Sequence, residues 1–176
     1  ADDLVLNASD VSLETGTISV DDSIDIESDS LVLDDVDITA LNQIDFDSTD
    51  IEIMSSELAA LSLDVSANSQ VLAATSIIAE RVTLQGDSLS FDQDSTIETV
   101  DDLTIDATDQ LNSAADITAN SDVLISANDF DHTGSIYASN QVSINVDESM
   151  TNSAEIHSGN GTAIAASSLD QSGLIQ

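Results

Sequence analysis

Apolar residues recur along this chain in short apolar-x-apolar triplets. The first are Leu4-Val5-Leu6, Val11-Ser12-Leu13 and Ile18-Ser19-Val20. Then come Ile24-Asp25-Ile26, Leu31-Val32-Leu33 and Val36-Asp37-Ile38, and after them Ile44-Asp45-Phe46, Ile51-Glu52-Ile53 and Leu58. Alternation of this kind predicts half-buried strands. Asp, Ser, Asn and Gly fill the gaps, as turns require.

The second half repeats more regularly. A first apolar pair falls at Leu103/Ile105, Val123/Ile125 and Val142/Ile144, with Thr162/Ile164 after them. A second position falls at Leu111, Phe130, Met150 and Leu169, and a third at Ile117, Ile136, Ile156 and Ile175. Carried backwards, this register starts units at Leu4, Ile24, Ile44, Leu61, Val82, Leu103, Val123, Val142 and Thr162. Nine units of about 20 residues fill residues 1–176 as one domain. The unit opening at Leu61 is the least regular, with its second and third strands placed at Val71 and Ile77.

A short unit with three strands and no helical period predicts one coil of a β-solenoid. Leucine-rich repeats and propeller blades have other spacings. Stacked hairpins need frequent Asn-Gly or Asp-Gly turns, whereas Asn160-Gly161 is the single Asn-Gly and Asp-Gly does not occur. Coils about 4.8 Å apart make nine of them a rod roughly 43 Å long. β-Branched residues, stiff at χ1, suit the stacked interior. The complete lack of Pro keeps every ladder N–H available.

Residues from about 100 onward carry a further pattern: Leu111-Asn112, Met150-Thr151-Asn152, Leu169 to Gly173, and Ile-x-Ala/Ser at Ile117, Ile136 and Ile156. This pattern resembles the repeats of filamentous haemagglutinins, the secreted rods of two-partner secretion that include adhesins and contact-dependent inhibition proteins. Gly134 and Gly173 stand where that family has glycine, and Ala115 and Ala154 replace it. The resemblance implies an all-β, right-handed parallel β-helix. It also implies a secreted or cell-surface bacterial location, as a rod segment within a longer protein. Neighbouring β-helix segments are the implied partners at either end.

Charge narrows the field of functions. There are 35 Asp and Glu against one Lys or Arg, a formal net charge of −34. No basic surface exists to displace counterions from a phosphate backbone, so nucleic acid is excluded as a partner. Docking on anionic lipid is excluded for the same reason. No apolar run approaches the ~18 residues of a spanning helix, and no membrane insertion is expected. The opening residues lack a basic segment ahead of an apolar one, so no signal peptide is expected among them. Without Cys, disulfides and thiolate-bound zinc are excluded. A hydrophobic fraction of 41% argues against the disorder that such charge otherwise suggests.

Stacking turns acidity into candidate chemistry. The residues just after each first pair place Glu27, Asp47 and Asp64 on successive coils, and the middle strand position places Asp25 above Asp45. Like charges directly opposite on neighbouring strands repel. Bound cations, raised carboxylate pKa values or splaying into water would offset this, and calcium, which prefers oxygen ligands, is the cation to test. EF-hand and Gly-rich calcium-repeat signatures do not occur, so a solvated acidic face is the simpler expectation, with no required cofactor. Arg81 has Asp102 at the same position one coil on, and the expectation is divided between a pair across coils and an Arg exposed to solvent among acids. His132, at a turn, and His157, in a strand, are expected at the surface without catalytic roles. Asn7-Ala8-Ser9 and Asn160-Gly161-Thr162 match the glycosylation pattern by a short motif only.

Three functions compete. A structural rod would hold a binding region off the cell and contact a host glycan or receptor. A self-assembling subunit would stack identical copies end to end through open sheet edges. A polysaccharide-active enzyme would need paired acids ~5–9 Å apart. Uniform coil length, a single Arg and no Trp make that reading the weakest, and no enzyme is expected.

Overall fold

The computed structural model describes residues 2–176, and every element among them is a strand. The strands are β1 (Leu4–Val20), β2 (Ser23–Ala40), β3 (Gln43–Met54), β4 (Glu57–Ala73), β5 (Ser76–Phe91), β6 (Thr96–Thr99) and β7 (Leu103–Ser113). They continue as β8 (Asp116–Ala119), β9 (Val123–His132), β10 (Ser135–Ala138), β11 (Gln141–Asn152), β12 (Glu155–Ser158), β13 (Gly161–Gln171) and β14 (Leu174–Ile175). Every pairing is parallel and joins residues one coil apart. The molecule is therefore a β-solenoid of about nine coils.

Coils are not built from three separate short strands throughout. The first two segments of each coil run on as one bent strand, and in β1 and β2 the strand passes through all three. The corner after the second segment turns through a left-handed residue in the early coils: Thr15 (φ 54°), Asp35 (56°), Ser55 (50°) and Ala74 (50°). A single such residue redirects the chain while the ladder continues on either side. Later coils turn at this corner without positive φ, and there the third segment separates as the short strands β6, β8, β10 and β12.

Inward side chains form columns along the axis, and alternation along each strand feeds them. The third-segment column is Ile38, Leu58, Ile77, Ile97, Ile117, Ile136 and Ile156, each 0–1% exposed. The predicted second-position column is in register through Leu111, Phe130, Met150 and Leu169. The three Phe (Phe46, Phe91 and Phe130) are all buried, and one continuous cluster runs from Val11 to Ile156.

The fourth unit departs from expectation. Ile44 pairs with Leu63, not Leu61; Leu63 is buried, while Leu61 is 44% exposed at the corner. The two leucines share a parity, so alternation cannot separate them, and the corner geometry decides. The same shift puts Gln70, not Val71, against Ile51 in the second column. Buried Gln70 donates from Nε2 to Val65 O at 3.1 Å and Gln85 O at 2.6 Å, while its Oε1 has no partner. Ile77 lies where the sequence places it, against Leu58.

Candidate functional site

The outward rows of the first segment carry the predicted acids. Their grouping differs from the expectation because of the shift at Leu63. Asp25, Asp45 and Asp64 lie in one row on three successive coils. Glu27 pairs with Asp47, and the next residue in that row is Ser66, not Asp64. The longer acidic ladder is thus the one through Asp45, two residues earlier along the strand.

Asp45 sits in the middle of that ladder. Burial raises its pKa above the ordinary carboxylate value, and the charges of Asp25, Asp64 and Asp47 raise it further. Asp64 gains partial compensation from Gln43 Nε2 at 3.3 Å and Ser62 Oγ at 3.2 Å. A shallow depression beside the ladder is lined by Asp3, Ser23, Asp25, Gln43 and Asp45.

Elsewhere the acids are interleaved with neutral donors, a feature that motif reasoning missed. Asn7 Nδ2 donates to Glu27 at 2.8 Å, Asn42 Nδ2 to Asp22 at 2.8 Å, and Asn140 Nδ2 to Asp122 at 2.5 Å. Hydroxyls do the same across coils: Thr108 to Asp87 at 2.5 Å, Ser135 to Asp116 at 2.6 Å, and Ser149 to Asp129. A carboxylate that accepts from a neighbouring coil ties the two coils together without a second charge. The signal was present as Asn, Ser or Thr about one period from an Asp or Glu. It becomes readable only once the register is known.

Asp92 shows the same principle at a corner. Burial raises its pKa, but the N–H groups of Ala74, Asp94 and Ser95 and the Ser95 hydroxyl outweigh it and lower the value overall. Below Asp92 the inward corner is polar yet satisfied. Ser56 Oγ accepts from Val36 N–H at 3.1 Å, and Ser95 Oγ accepts from Thr75 N–H at 3.2 Å.

His132 is not at the surface. It ends β9 with its side chain inward and 0% exposed, in register with Ser113 on one side and Asn152 on the other. Its ring lies 5.5 Å from that of Phe130, and neither ring nitrogen has a hydrogen-bond partner; nor does Ser113 Oγ. Burial lowers its pKa, against smaller opposing effects from the backbone of Ser113 and Glu155 and from the Asp131 charge. Asn152 in the same column is satisfied, donating to Ala154 O and Gln171 Oε1 and accepting from Ala154 N–H.

His157 does lie in a strand facing outward, stacked on Tyr137 at 5.2 Å and 4° between rings. Arg81 is exposed at the corner before Val82, whose N–H donates to Asp102 O at 3.3 Å. The Asp102 carboxylate accepts from Asp122 N–H at 3.1 Å. The amide of Asn160, in the second glycosylation-like motif, donates to Asn140 at 2.6 Å.

Among the described residues no group of three or more His, Cys, Asp or Glu is arranged to hold a metal ion. The ladder carboxylates are strung along the axis rather than aimed at one point. No helix of the described chain is long and apolar enough to cross a membrane. The fold and surface define a parallel β-solenoid with strongly acidic outer rows. Comparison with protein-family models, with curated proteins and with solved structures finds no match.

Proposed function

We propose that the chain is a structural rod segment of a secreted or cell-surface bacterial exoprotein of adhesin type, extending a binding or effector region from the cell. The observation that carries this reading is the continuous parallel stacking of coils from Leu4 to Ile175, in which the later coils absorb local register shifts without breaking the ladder. The longest connection between strands is the four residues 92–95, too short to build a cleft. A rod needs a continuous core and a soluble outside, and alternating strands with acidic outer rows supply both. The haemagglutinin-like spacing of Leu111, Met150 and Leu169 points the same way.

A second reading is end-to-end stacking of identical copies, because each coil pairs with the next through the same parallel backbone ladder, which a further copy would continue. The denatured mass of the native protein, with its accessibility to protease on intact cells, separates the readings. A protease-accessible chain of hundreds of kilodaltons supports the rod. A chain near 18.3 kDa that sediments as long filaments supports self-assembly. A protease-protected chain inside the cell overturns both.

A further inference from the structure

The outer face of the third segment carries an unusual pair. The chain has one Tyr, no Trp and three buried Phe, so Tyr137 is its only exposed aromatic ring besides histidine. Tyr137 is 43% exposed and pairs in register with His157 one coil on. Their rings are nearly parallel, at 4°, with centroids 5.2 Å apart, which is the range of offset stacking. An offset stack leaves part of each ring face uncovered.

The neighbouring outward row supplies charge. Asp116, Ser135 and Glu155 occupy it on successive coils, in the same strands as Thr118, Tyr137 and His157. The two exposed carboxylates therefore bracket the Tyr137 coil, one before it and one after, roughly 10 Å apart at two coil spacings. Ser135 donates to Asp116 at 2.6 Å, which holds that carboxylate toward the Tyr137 coil. A shallow depression is lined by Ser135, Ile136, Tyr137, Glu155 and His157. Thr118, the residue before Tyr137 in its row, is shorter than the ring beyond it.

We infer that this face is a docking site for an arginine-bearing basic segment of a partner protein, with a guanidinium laid against the Tyr137–His157 stack and paired to Glu155 or Asp116. Charge complementarity selects the occupant. A planar cation gains from an aromatic face and from a carboxylate at its edge. The surrounding surface, at a net charge of −34, draws cations in and repels acidic partners. The inference holds whether the chain is a rod segment or a filament subunit.

Tyr137 is also a built-in reporter, since no other Tyr or Trp contributes fluorescence. Tetra-arginine is titrated into the whole chain at about 150 mM salt, followed by tyrosine emission and by calorimetry. The expected result is a saturable change in emission and a one-to-one component. Tyr137→Leu should weaken that component about two- to fivefold, the usual share of an exposed cation–π contact. Glu155→Gln should weaken it too, with the emission signal retained. Circular dichroism confirms that both variants keep the strand signal. The inference is overturned if tyrosine emission does not respond. It is equally overturned if wild type and Tyr137→Leu bind alike, which would mean that the peptide adheres to acid at large. A response to a neutral oligosaccharide but not to tetra-arginine overturns it in favour of a glycan site.

Discussion

One inward side chain sets an acid response for the whole rod. His132 is fully buried with both ring nitrogens unpartnered, so the folded state favours the neutral ring and its pKa is lowered. The unfolded chain takes up a proton as pH falls through about 6.5, while the folded chain does not until lower pH. Stability is therefore complete above the unfolded value and is lost as pH falls below it, by at most about 1.4 kcal/mol per pH unit for one group. Thermal melts from pH 7.5 to 5 should show a falling midpoint. His132→Asn should flatten that fall, because Asn152 shows how an amide in this column reaches the chain two residues on. An unchanged slope in the variant would locate the acid response elsewhere. Asp45 works in the opposite sense: its folded pKa is raised, so it opposes folding at neutral pH and the penalty fades as acid protonates it. Asp45→Asn should raise stability at pH 7 by up to ~1 kcal/mol. The gain should disappear near pH 4, as denaturant melts at the two pH values would show.

At the scale of the coil, corners carry the specificity that the columns do not. Gly86 shows it most directly. A Cβ there would lie 2.0 Å from Ala67 O of the preceding coil, a backbone atom that cannot swing aside. The ladder shifts by a residue just after this point, between Gly86 and Ser88. Bulges of this kind absorb an extra residue by bending the strand. Here the extra residue is on β7, where Thr108 and Asp109 face Asp87, and the offset between paired residues rises from 21 at Gly86 to 22 at Ser88. Gly86→Ala should cost on the order of 3 kcal/mol, comparable to a core truncation although only one methyl is added. Urea midpoints of the variant beside Gly16→Ala, where nothing lies within 4 Å of the added carbon, provide the check. Equal midpoints would show that the close approach at Ala67 relaxes.

At the scale of the molecule, stability is close to a sum over coils and their interfaces. Central coils have neighbours on both sides, whereas the first and last have one. Inward residues of the end coils are correspondingly only partly buried: Leu4 and Leu6 at one end, Ile164 and Ile175 at the other. Amide hydrogen exchange should be fastest in β1, β13 and β14 and slowest from β3 to β9. Uniform exchange along the chain would mean that the rod opens as one unit. The net charge of −34 acts on every coil. Added salt should raise the melting temperature by screening repulsion along the rod. Calcium and magnesium at equal concentration should raise it equally, because the ladder carboxylates do not converge on one ion. A gain specific to calcium would indicate coordination.

The sequence by itself determined the period, the number of coils and most inward columns. The reason is that alternation repeated every ~20 residues leaves one way to bury Ile117, Ile136 and Ile156 together. It also showed which acids would be neighbours along the axis, to within the phase of one coil. It did not determine that phase, because Leu61 and Leu63 alternate alike and only the corner between β4 segments selects Leu63. Asp64 moved with that choice from the Asp47 row to the Asp45 row. His132 looked like a turn residue for a related reason. Its column is apolar through Leu33, Ile53, Leu72 and Phe91 and turns polar only at Ser113. A signal for its burial existed in its spacing of two from Phe130. Tertiary stacking alone decided that a polar ring would occupy that column. It alone also decided that Asn, Ser and Thr of one coil would meet the carboxylates of the next, since those partners lie about 20 residues apart and meet only when coils stack.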